Sequence, residues 1–253
     1  MKHLDILNKI IVELNQIQEK NEIITNLKNI NYEYNIYNLF NQKSIDKSFK
    51  SEILGYHLIC ESPIKESVWE EINCNIVNDY CKIIKNIKGS HISGRDNIFN
   101  NWRISNKTGK IINEKISISS YRLGNVCNIK NVGIPTDIIT EINKRNKSYD
   151  YYSILLRNET IDYIIIYYWF IIPKDYYVFN IDNNNLLPII GSKGKNKDKQ
   201  IGWKSNYATI TFSMSSQLWF NFNFNDIKQF LLHTVNADKD SKKYTYSDLY
   251  NLS

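Results

Sequence analysis

The stretch from Ser93 to Leu123 reads SGRDNIFNNWRISNKTGKIINEKISISSYRL and decides the fold class of this chain. Its β-branched and aromatic residues fall in short runs between residues that favour turns, which predicts a compact meander of strands. We expect strands over SGRDNIF, WRISNK and ISISSYRL, joined by turns at Asn100-Asn101 and Thr108-Gly109. Asp96 and Lys107 then fall at neighbouring strand ends.

Asp96 and Lys107 are the side-chain types that a metal-dependent phosphodiesterase requires. A carboxylate can hold a divalent cation against a scissile phosphate, and an ammonium group can orient the attacking water and offset developing negative charge. The alternative interpretation is structural: Asp96 caps a turn and Lys107 is solvated. The spacing alone leaves both interpretations open.

The succession SGRD, ISNKTGK and ISSYRL resembles the core of the PD-(D/E)xK nuclease superfamily, and most of all type II restriction endonucleases. The resemblance implies an Asp at a strand end, followed by a strand carrying an acid or Ser two positions before a Lys, and together these bind Mg²⁺ and activate water. Two positions depart from the pattern: Arg95 precedes Asp96 in place of Pro, and Ser105 replaces the usual acid before Lys107. The resemblance therefore implies catalytic roles for Asp96, Ser105 and Lys107, with a second carboxylate supplied by a helix.

A helix predicted over about Ile64 to Lys88 is the candidate source of that carboxylate, because it leads directly toward Asp96. Glu66 and Glu70 lie four residues apart and share a helix face. We expect both to be metal ligands beside Asp96, with Glu70 also in the catalytic set. Glu71 is a further candidate on the same helix, and a solvated acidic helix edge is the alternative for all three. Glu114 competes, but it falls in a predicted turn and is expected to be exposed.

The remaining pattern predicts an α/β (α+β) domain with a mixed central β-sheet flanked by helices, a PD-(D/E)xK restriction-endonuclease-like core. We expect a helix over about Leu4 to Lys28, a connector to about Lys50, a helix from Pro135 to about Lys147, and central strands over YDYYSILLR and IDYIIIYYWFII. The chain is interpreted as a single endonuclease domain, 1–253. Its parts are an N-terminal helical part (1–60), a catalytic core (61–175) and a C-terminal DNA-recognition part (176–253).

The C-terminal part supplies candidate DNA contacts. A lysine-rich segment, GSKGKNKDKQIGWKSN, can neutralise backbone phosphates, although such a segment is often only a solvated loop. The strand pair ATITFSMSSQLWFNFNF follows, and its polar residues can read base edges or simply face water beside a packed core. The candidate DNA-binding residues are Lys193, Lys195, Lys197, Lys199, Lys204, Ser213, Ser215, Ser216 and Gln217, together with Tyr121 and Arg122.

Bulk composition bounds the class of protein without choosing a function. The chain has 253 residues, 42% of them hydrophobic, which suits a folded domain, and a formal net charge of +6 favours a polyanionic partner. Its four cysteines lack zinc-finger or Cys-x-x-Cys spacing and are expected to be reduced thiols. The sequence contains no signal-peptide core or membrane-length apolar run, so we expect a cytoplasmic protein with no membrane partner.

Taken together, the sequence predicts a Mg²⁺-dependent type II restriction endonuclease that cleaves double-stranded DNA at a short specific site. Cutting both strands of a palindrome requires two active sites related by a two-fold axis, so a homodimer is expected. A cognate DNA methyltransferase encoded nearby is the expected partner gene. The alternative is a non-catalytic basic protein that binds DNA or interacts with a host. The chain lacks the phosphate-loop and nucleophile-elbow motifs of NTPases and serine hydrolases.

Overall fold

The structure is a computed structural model that describes residues 36–85, 96–160, 163–182, 185–213, 215–245 and 247–248. The chain divides into two compact units, Met1–Asp46 and Lys47–Ser253. The helix predicted over Leu4 to Lys28 lies outside the described residues. Every candidate site residue that the structure describes belongs to the second unit.

A mixed eleven-stranded sheet forms the centre of the second unit, in the order β11-β6-β5-β3-β4-β10-β9-β8-β7, with β2 paired to β3 and β1 paired to β2. Among these pairs β3 and β5 run parallel and the others run antiparallel. The strands are β1 (Ile83–Lys85), β2 (Asn97–Phe99), β3 (Trp102–Ile112), β4 (Lys115–Arg122), β5 (Tyr151–Glu159), β6 (Ile164–Pro173), β7 (Leu187–Ile190), β8 (Gln200–Lys204), β9 (Ala208–Thr211), β10 (Gln217–Asn223) and β11 (Leu231–Asp238).

Helices pack on both faces of this sheet, and the predicted mixed sheet flanked by helices is therefore confirmed. The α-helices are α1 (Ile36–Phe40), α2 (Lys43–His57), α3 (Glu66–Val77), α4 (Pro135–Asn146) and α5 (Phe224–Ile227), with short 3-10 turns at Tyr177–Phe179, Gly194–Asn196, Lys228–Phe230 and Lys239–Ser241. Helix α4 begins at a proline in its first turn and matches the predicted helix closely.

Residues that alternate along β5 show which helix covers which face. Ser153 accepts a hydrogen bond from Asn73 of α3, whereas its neighbours Tyr152 and Ile154 belong to the apolar cluster that contains Ile142 of α4. Successive strand residues point to opposite faces, so α3 and α4 lie on opposite sides of the sheet. β5 and β6 are covered on both faces, which explains the continuous apolar runs of their sequences.

Two predicted boundaries were wrong. The helix predicted to about Lys88 ends at Val77, and residues 83–85 form strand β1, which pairs with β2. The helix can end there because its last two turns already bury Ile72 and Ile76, and the β-branched pair that follows pairs as a strand instead. The part of the predicted connector that the structure describes, from residue 36 to Lys50, is largely helical. Phe49 and Ile53 of α2 recur at helical spacing and are fully buried.

The predicted turn at Thr108-Gly109 was also wrong, whereas the turn at Asn100-Asn101 is confirmed. β3 runs through Gly109 and reverses at Asn113 and Glu114, which have positive φ angles of 49° and 65°. Gly109 serves close packing instead of a turn: a Cβ there would lie 2.9 Å from both Ile118 Cγ2 and Leu156 Cδ2.

No helix in the described part of the chain is long and apolar enough to cross a membrane.

The close approach at Gly109 generates a stability prediction. Gly109→Ala should lower the free energy of unfolding by about 1–3 kcal/mol, because the added methyl group overpacks the contact with β4 and β5. Gly55→Ala is the matched control: a Cβ at this α2 position meets nothing within 4 Å, and relief of the glycine penalty should raise stability by about 0.5–1 kcal/mol. Urea unfolding curves would measure both changes. Equal effects of the two variants would contradict the packing assignment.

Candidate active site

The sheet divides beside β3, and the division creates the candidate active site. On one side β3 pairs with β2 through Trp102–Ile104 and with β4 through Lys110–Ile112. On its other side it pairs with β5 from Ile104 to Lys110. On the first side, residues 105–109 therefore lie between the pairing with β2 and the pairing with β4. Side chains from β3 can meet groups from other elements there.

Asp96 lies at this division, immediately before β2. Its backbone N–H donates to the Ile104 carbonyl at 2.8 Å, and its Oδ2 accepts the backbone N–H of Asn106 at 2.5 Å. Burial raises the pKa of Asp96, the Lys107 charge and the Asn106 N–H oppose that rise, and the negative charge of Glu66 adds to it. Hydrogen bonding by the neighbouring Ser105 side chain lowers the pKa of this carboxyl.

Lys107 links the central strand to helix α3. Its Nζ donates to Glu66 Oε1 at 2.7 Å, and the two side chains are 8% and 35% exposed. An ammonium group with so little exposure keeps a fixed position, because the ion pair substitutes for the water it has lost. The alternative interpretation, in which Lys107 is merely solvated, is therefore wrong.

Glu70 lies one helical turn beyond Glu66 and faces the same cluster. Burial, followed by repulsion from Asp96 and Glu66, raises the pKa of Glu70 to about 7, and Lys107 partly opposes the rise. Carboxylates that share a small space cannot all ionise at low cost. Perturbed carboxylates of this kind concentrate at functional sites.

The donor set fits Mg²⁺. When Glu66, Glu70 and Asp96 are ionised beside a protonated Lys107, the cluster carries two uncompensated negative charges, which a divalent cation would neutralise. The described residues contain no preformed group of three or more His, Cys, Asp or Glu side chains arranged to hold a metal ion. Mg²⁺ does not require such a cage, because proteins commonly bind it through one or two carboxylates, with water and substrate phosphate filling the other positions.

The structure thus pairs Lys107 with Glu66 and couples Glu70 and Asp96 electrostatically to that pair, with Ser105 next to Asp96. Glu71 is exposed and outside this group, and Glu114 is exposed in the turn between β3 and β4. Residues 93–95, which contribute to the family resemblance, lie outside the described residues.

Sequence reasoning missed Asn73 and Asn106, which are fully buried beneath the cluster and bonded to each other at 2.6 Å. One sequence signal was present: Asn73 interrupts the apolar stripe of Trp69, Ile72 and Ile76 on α3. A polar residue on such a stripe requires a buried partner.

The candidate DNA-reading residues gather at one end of the sheet. Gln217 at the start of β10 stands opposite Arg122 of β4 and Thr211 of β9. Because β3 and β4 are antiparallel, the end of β4 and the first half of β3 lie toward the same end. Ser213 and Ser215 are exposed in the connection between β9 and β10. The catalytic candidates and the reading candidates therefore share one end of the sheet.

Two of the predicted DNA contacts need correction. Ser216 is fully buried in the turn before β10, where its carbonyl accepts the Leu123 N–H at 2.9 Å, so its side chain is not presented to DNA. Tyr121 uses its hydroxyl to bond the Ile142 carbonyl and the Asn146 side chain of α4. Its position is explained by packing of β4 on that helix.

The lysine-rich segment is more ordered than a flexible loop. A 3-10 turn over Gly194–Asn196 and a bridge between Gly191 and Lys197 shape the connection from β7 to β8, and Lys204 lies at the end of β8. The side chains of Lys193, Lys195, Lys197, Lys199 and Lys204 are all exposed. The β7–β8 connection projects from the same end of the sheet as Gln217, because Gly202 pairs with Thr211 and Thr211 with Gln217.

Comparison with known proteins gives no matching family model, no matching curated protein and no matching solved structure.

The raised pKa of Glu70 predicts a pH-dependent stability in metal-free protein. In the folded state Glu70 keeps its proton up to about pH 7, whereas in the unfolded chain it ionises near the ordinary pKa of a glutamate. Folding stability is therefore lost as the pH rises between these two pKa values. Glu70→Gln should therefore be more stable than wild type at pH 8, by about 1 kcal/mol after allowance for solvent screening. Below about pH 4.5 the advantage should vanish.

Urea unfolding at several pH values in a chelator would measure this difference. Glu71→Gln is the matched control for loss of one carboxylate on the exposed side of the same helix. A pH-independent difference between Glu70→Gln and wild type would contradict the repulsive cluster.

Proposed function

We propose that this protein is a Mg²⁺-dependent endonuclease that hydrolyses phosphodiester bonds of double-stranded DNA, of the type II restriction kind. The observation that carries the proposal is the convergence of Asp96, Glu66 and Glu70 with a nearly buried Lys107 where the sheet divides. The PD-(D/E)xK resemblance of the same residues supports it.

The carboxylates hold the metal in this proposal. Asp96 presents the oxygen not engaged by the Asn106 N–H, and Glu70 presents a carboxylate whose pKa is raised by burial and then by repulsion from Asp96 and Glu66. A bound Mg²⁺ would supply Lewis-acid stabilisation of the phosphate and a more acidic coordinated water. Ser105 steadies the Asp96 carboxylate instead of adding a charge to the site.

Lys107 acts on the reacting atoms. Glu66 Oε1 accepts a hydrogen bond from Lys107 Nζ at 2.7 Å. The other two ammonium hydrogens can orient the attacking water and bond a phosphate oxygen as negative charge develops. Glu66 thus sets the direction of Lys107 as well as adding negative charge near the metal.

The acidic cluster also distinguishes this proposal from a non-catalytic DNA-binding protein. Carboxylates without a cation repel phosphate, so their burial beside a basic end of the sheet would weaken simple binding. With a divalent cation bound, the same carboxylates attract the phosphate. The cluster therefore favours the enzyme over the binding protein.

The residues that would read the DNA sequence lie at the same end of the sheet as the proposed catalytic residues. Arg122, Gln217, Ser213 and Ser215 can reach base edges, and the lysines of the β7–β8 connection can neutralise backbone phosphates. We expect two copies of the chain to act on the two strands of a palindromic site, and a DNA methyltransferase encoded nearby to protect that site.

Incubation of the purified protein with plasmid and phage DNA and Mg²⁺ tests the proposal. The expected result is a set of discrete fragments whose sequenced ends share one short motif, with no cutting in chelator. Binding of DNA without cutting, over a range of Mg²⁺ and Mn²⁺ concentrations, would favour the non-catalytic alternative.

Loss of either central residue should stop cleavage. Asp96→Asn keeps the size of the side chain and removes its charge, so it should abolish cutting. Lys107→Ala should reduce the single-turnover rate by at least about a hundredfold, by analogy with loss of one transition-state donor. Glu71→Gln, an exposed change on α3, should cut at the wild-type rate.

Binding curves in Ca²⁺ would show that both inactive variants retain DNA affinity. Near-normal cutting by Asp96→Asn would remove the carboxylate from the site. Weakened binding with full-rate cutting at saturation for Lys107→Ala would make that residue a phosphate anchor.

Base reading and phosphate contact should separate by mutation. Gln217→Ala should cost about 1–3 kcal/mol at the cognate site and relax preference at one base pair, because a bidentate contact is lost. The double variant Lys195→Gln/Lys197→Gln should weaken binding to all sequences and flatten its salt dependence. Titrations of cognate and scrambled duplexes at two salt concentrations would measure both. Equal loss on both duplexes for Gln217→Ala would show that it does not read a base.

A further inference from the structure

A buried polar network lies directly beneath the candidate active site. Asn73 Nδ2 of α3 donates to Asn106 Oδ1 of β3 at 2.6 Å and to Ser153 Oγ of β5 at 2.8 Å. Trp169 Nε1 donates to the same Ser153 hydroxyl at 3.0 Å, and Trp69 Nε1 donates to the Ser153 carbonyl at 3.2 Å. The three polar side chains are fully buried.

This network is poorly suited to stability alone. Asn73 Oδ1 and Asn106 Nδ2 are buried without a hydrogen-bond partner among the described residues. A buried polar atom left unpaired is costly, and apolar side chains of similar volume would pack α3 on the sheet without that cost. Directional hydrogen bonds, unlike apolar contacts, allow a single position of helix α3 along strand β3.

Both ends of the network lead into the active site. Asn73 follows Glu70 by three residues and Glu66 by seven, so all three lie on one face of α3. Asn106 stands between Ser105 and Lys107, and its backbone N–H holds the Asp96 carboxylate. The Asn73–Asn106 bond therefore joins the element that carries the glutamates to the element that carries Lys107.

We propose that Asn73 and Asn106 are positioning residues that fix helix α3 against β3, and thereby set the distance of Glu66 and Glu70 from Asp96 and Lys107. Both amides are fully buried, so they act through the position of α3. The importance of the Asn73–Asn106 bond for metal binding and cleavage rests on the proposed nuclease function, whereas its effect on the position of α3 does not. Second-layer residues that orient metal ligands act in this way.

Crystal structures of metal-free wild type and Asn73→Ala test the geometric effect. In the wild type the separation of Lys107 Nζ and Glu66 Oε1 is 2.7 Å, and in Asn73→Ala we expect it to exceed hydrogen-bond range as α3 shifts. Tyr149→Phe is the matched control: it removes a buried hydroxyl bonded to Asn146 at 2.8 Å on the α4 side of the sheet. It should leave the ion pair unchanged.

Metal and kinetic measurements test the consequence for the site. Asn73→Ala should raise the Mg²⁺ concentration for half-maximal cleavage by about tenfold or more and lower the maximal rate, with DNA affinity at saturating Ca²⁺ unchanged. Tyr149→Phe should retain the wild-type Mg²⁺ requirement despite a loss of stability. Asn106→Ala removes the same bond from the strand side and should reproduce both results, which keeps the test available if Asn73→Ala does not fold.

The outcomes separate the two proposals. An unchanged Lys107–Glu66 contact in both Asn variants overturns the positioning proposal. A Mg²⁺ requirement that follows thermal stability equally in Asn73→Ala and Tyr149→Phe also overturns it. A displaced α3 in a protein whose wild type does not cut DNA supports the positioning role and overturns the nuclease function.

Discussion

Repulsion among carboxylates that share one partly buried space is the constraint on which the site depends. Lys107 pairs with Glu66, while Glu70 and Asp96 are electrostatically coupled to that pair. Burial together with repulsion from neighbouring carboxylates raises the pKa values of Glu70 and Asp96. Such an arrangement costs folding stability, because the unfolded chain would keep these charges apart in water. Packing elsewhere in the fold must therefore compensate for the free energy that carboxylate burial and repulsion cost.

The fold opposes this repulsion with rigid elements instead of loops. β3 is fixed by parallel pairing to β5 along seven consecutive register positions, from Ile104 to Lys110. Helix α3 is fixed by aromatic packing, since Trp69 meets Trp169 and Phe49 at ring-centroid distances of 5.5 and 6.4 Å. The sheet divides only on the side of β3 away from β5, so the opening needed for charged side chains does not interrupt the packed centre.

Local sequence signals predicted much of this site because its residues are close in the chain or carried by regular elements. Asp96, Ser105 and Lys107 fall within one hairpin, and Glu66 and Glu70 follow helical spacing. The errors came from tertiary effects. Glycine favours turns, but Gly109 lies within strand β3 at a contact too close to admit a Cβ. The polar character of Ser216 predicted an exposed contact, whereas the turn before β10 buries it. The Asn73–Asn106 bond spans 33 residues, which no local pattern can predict.

The proposed chemistry gives the costly cluster a physical explanation. A divalent cation added to it would replace carboxylate repulsion with carboxylate–metal attraction, and ionisation of Glu70 would then become favourable near neutral pH. Metal binding would stabilise the folded state by an amount that rises with the ratio of free Mg²⁺ to its Kd, because the unfolded chain does not present the assembled site. In the proposed enzyme, the cost of assembling the carboxylates before the metal arrives would be the cost of a preorganised site.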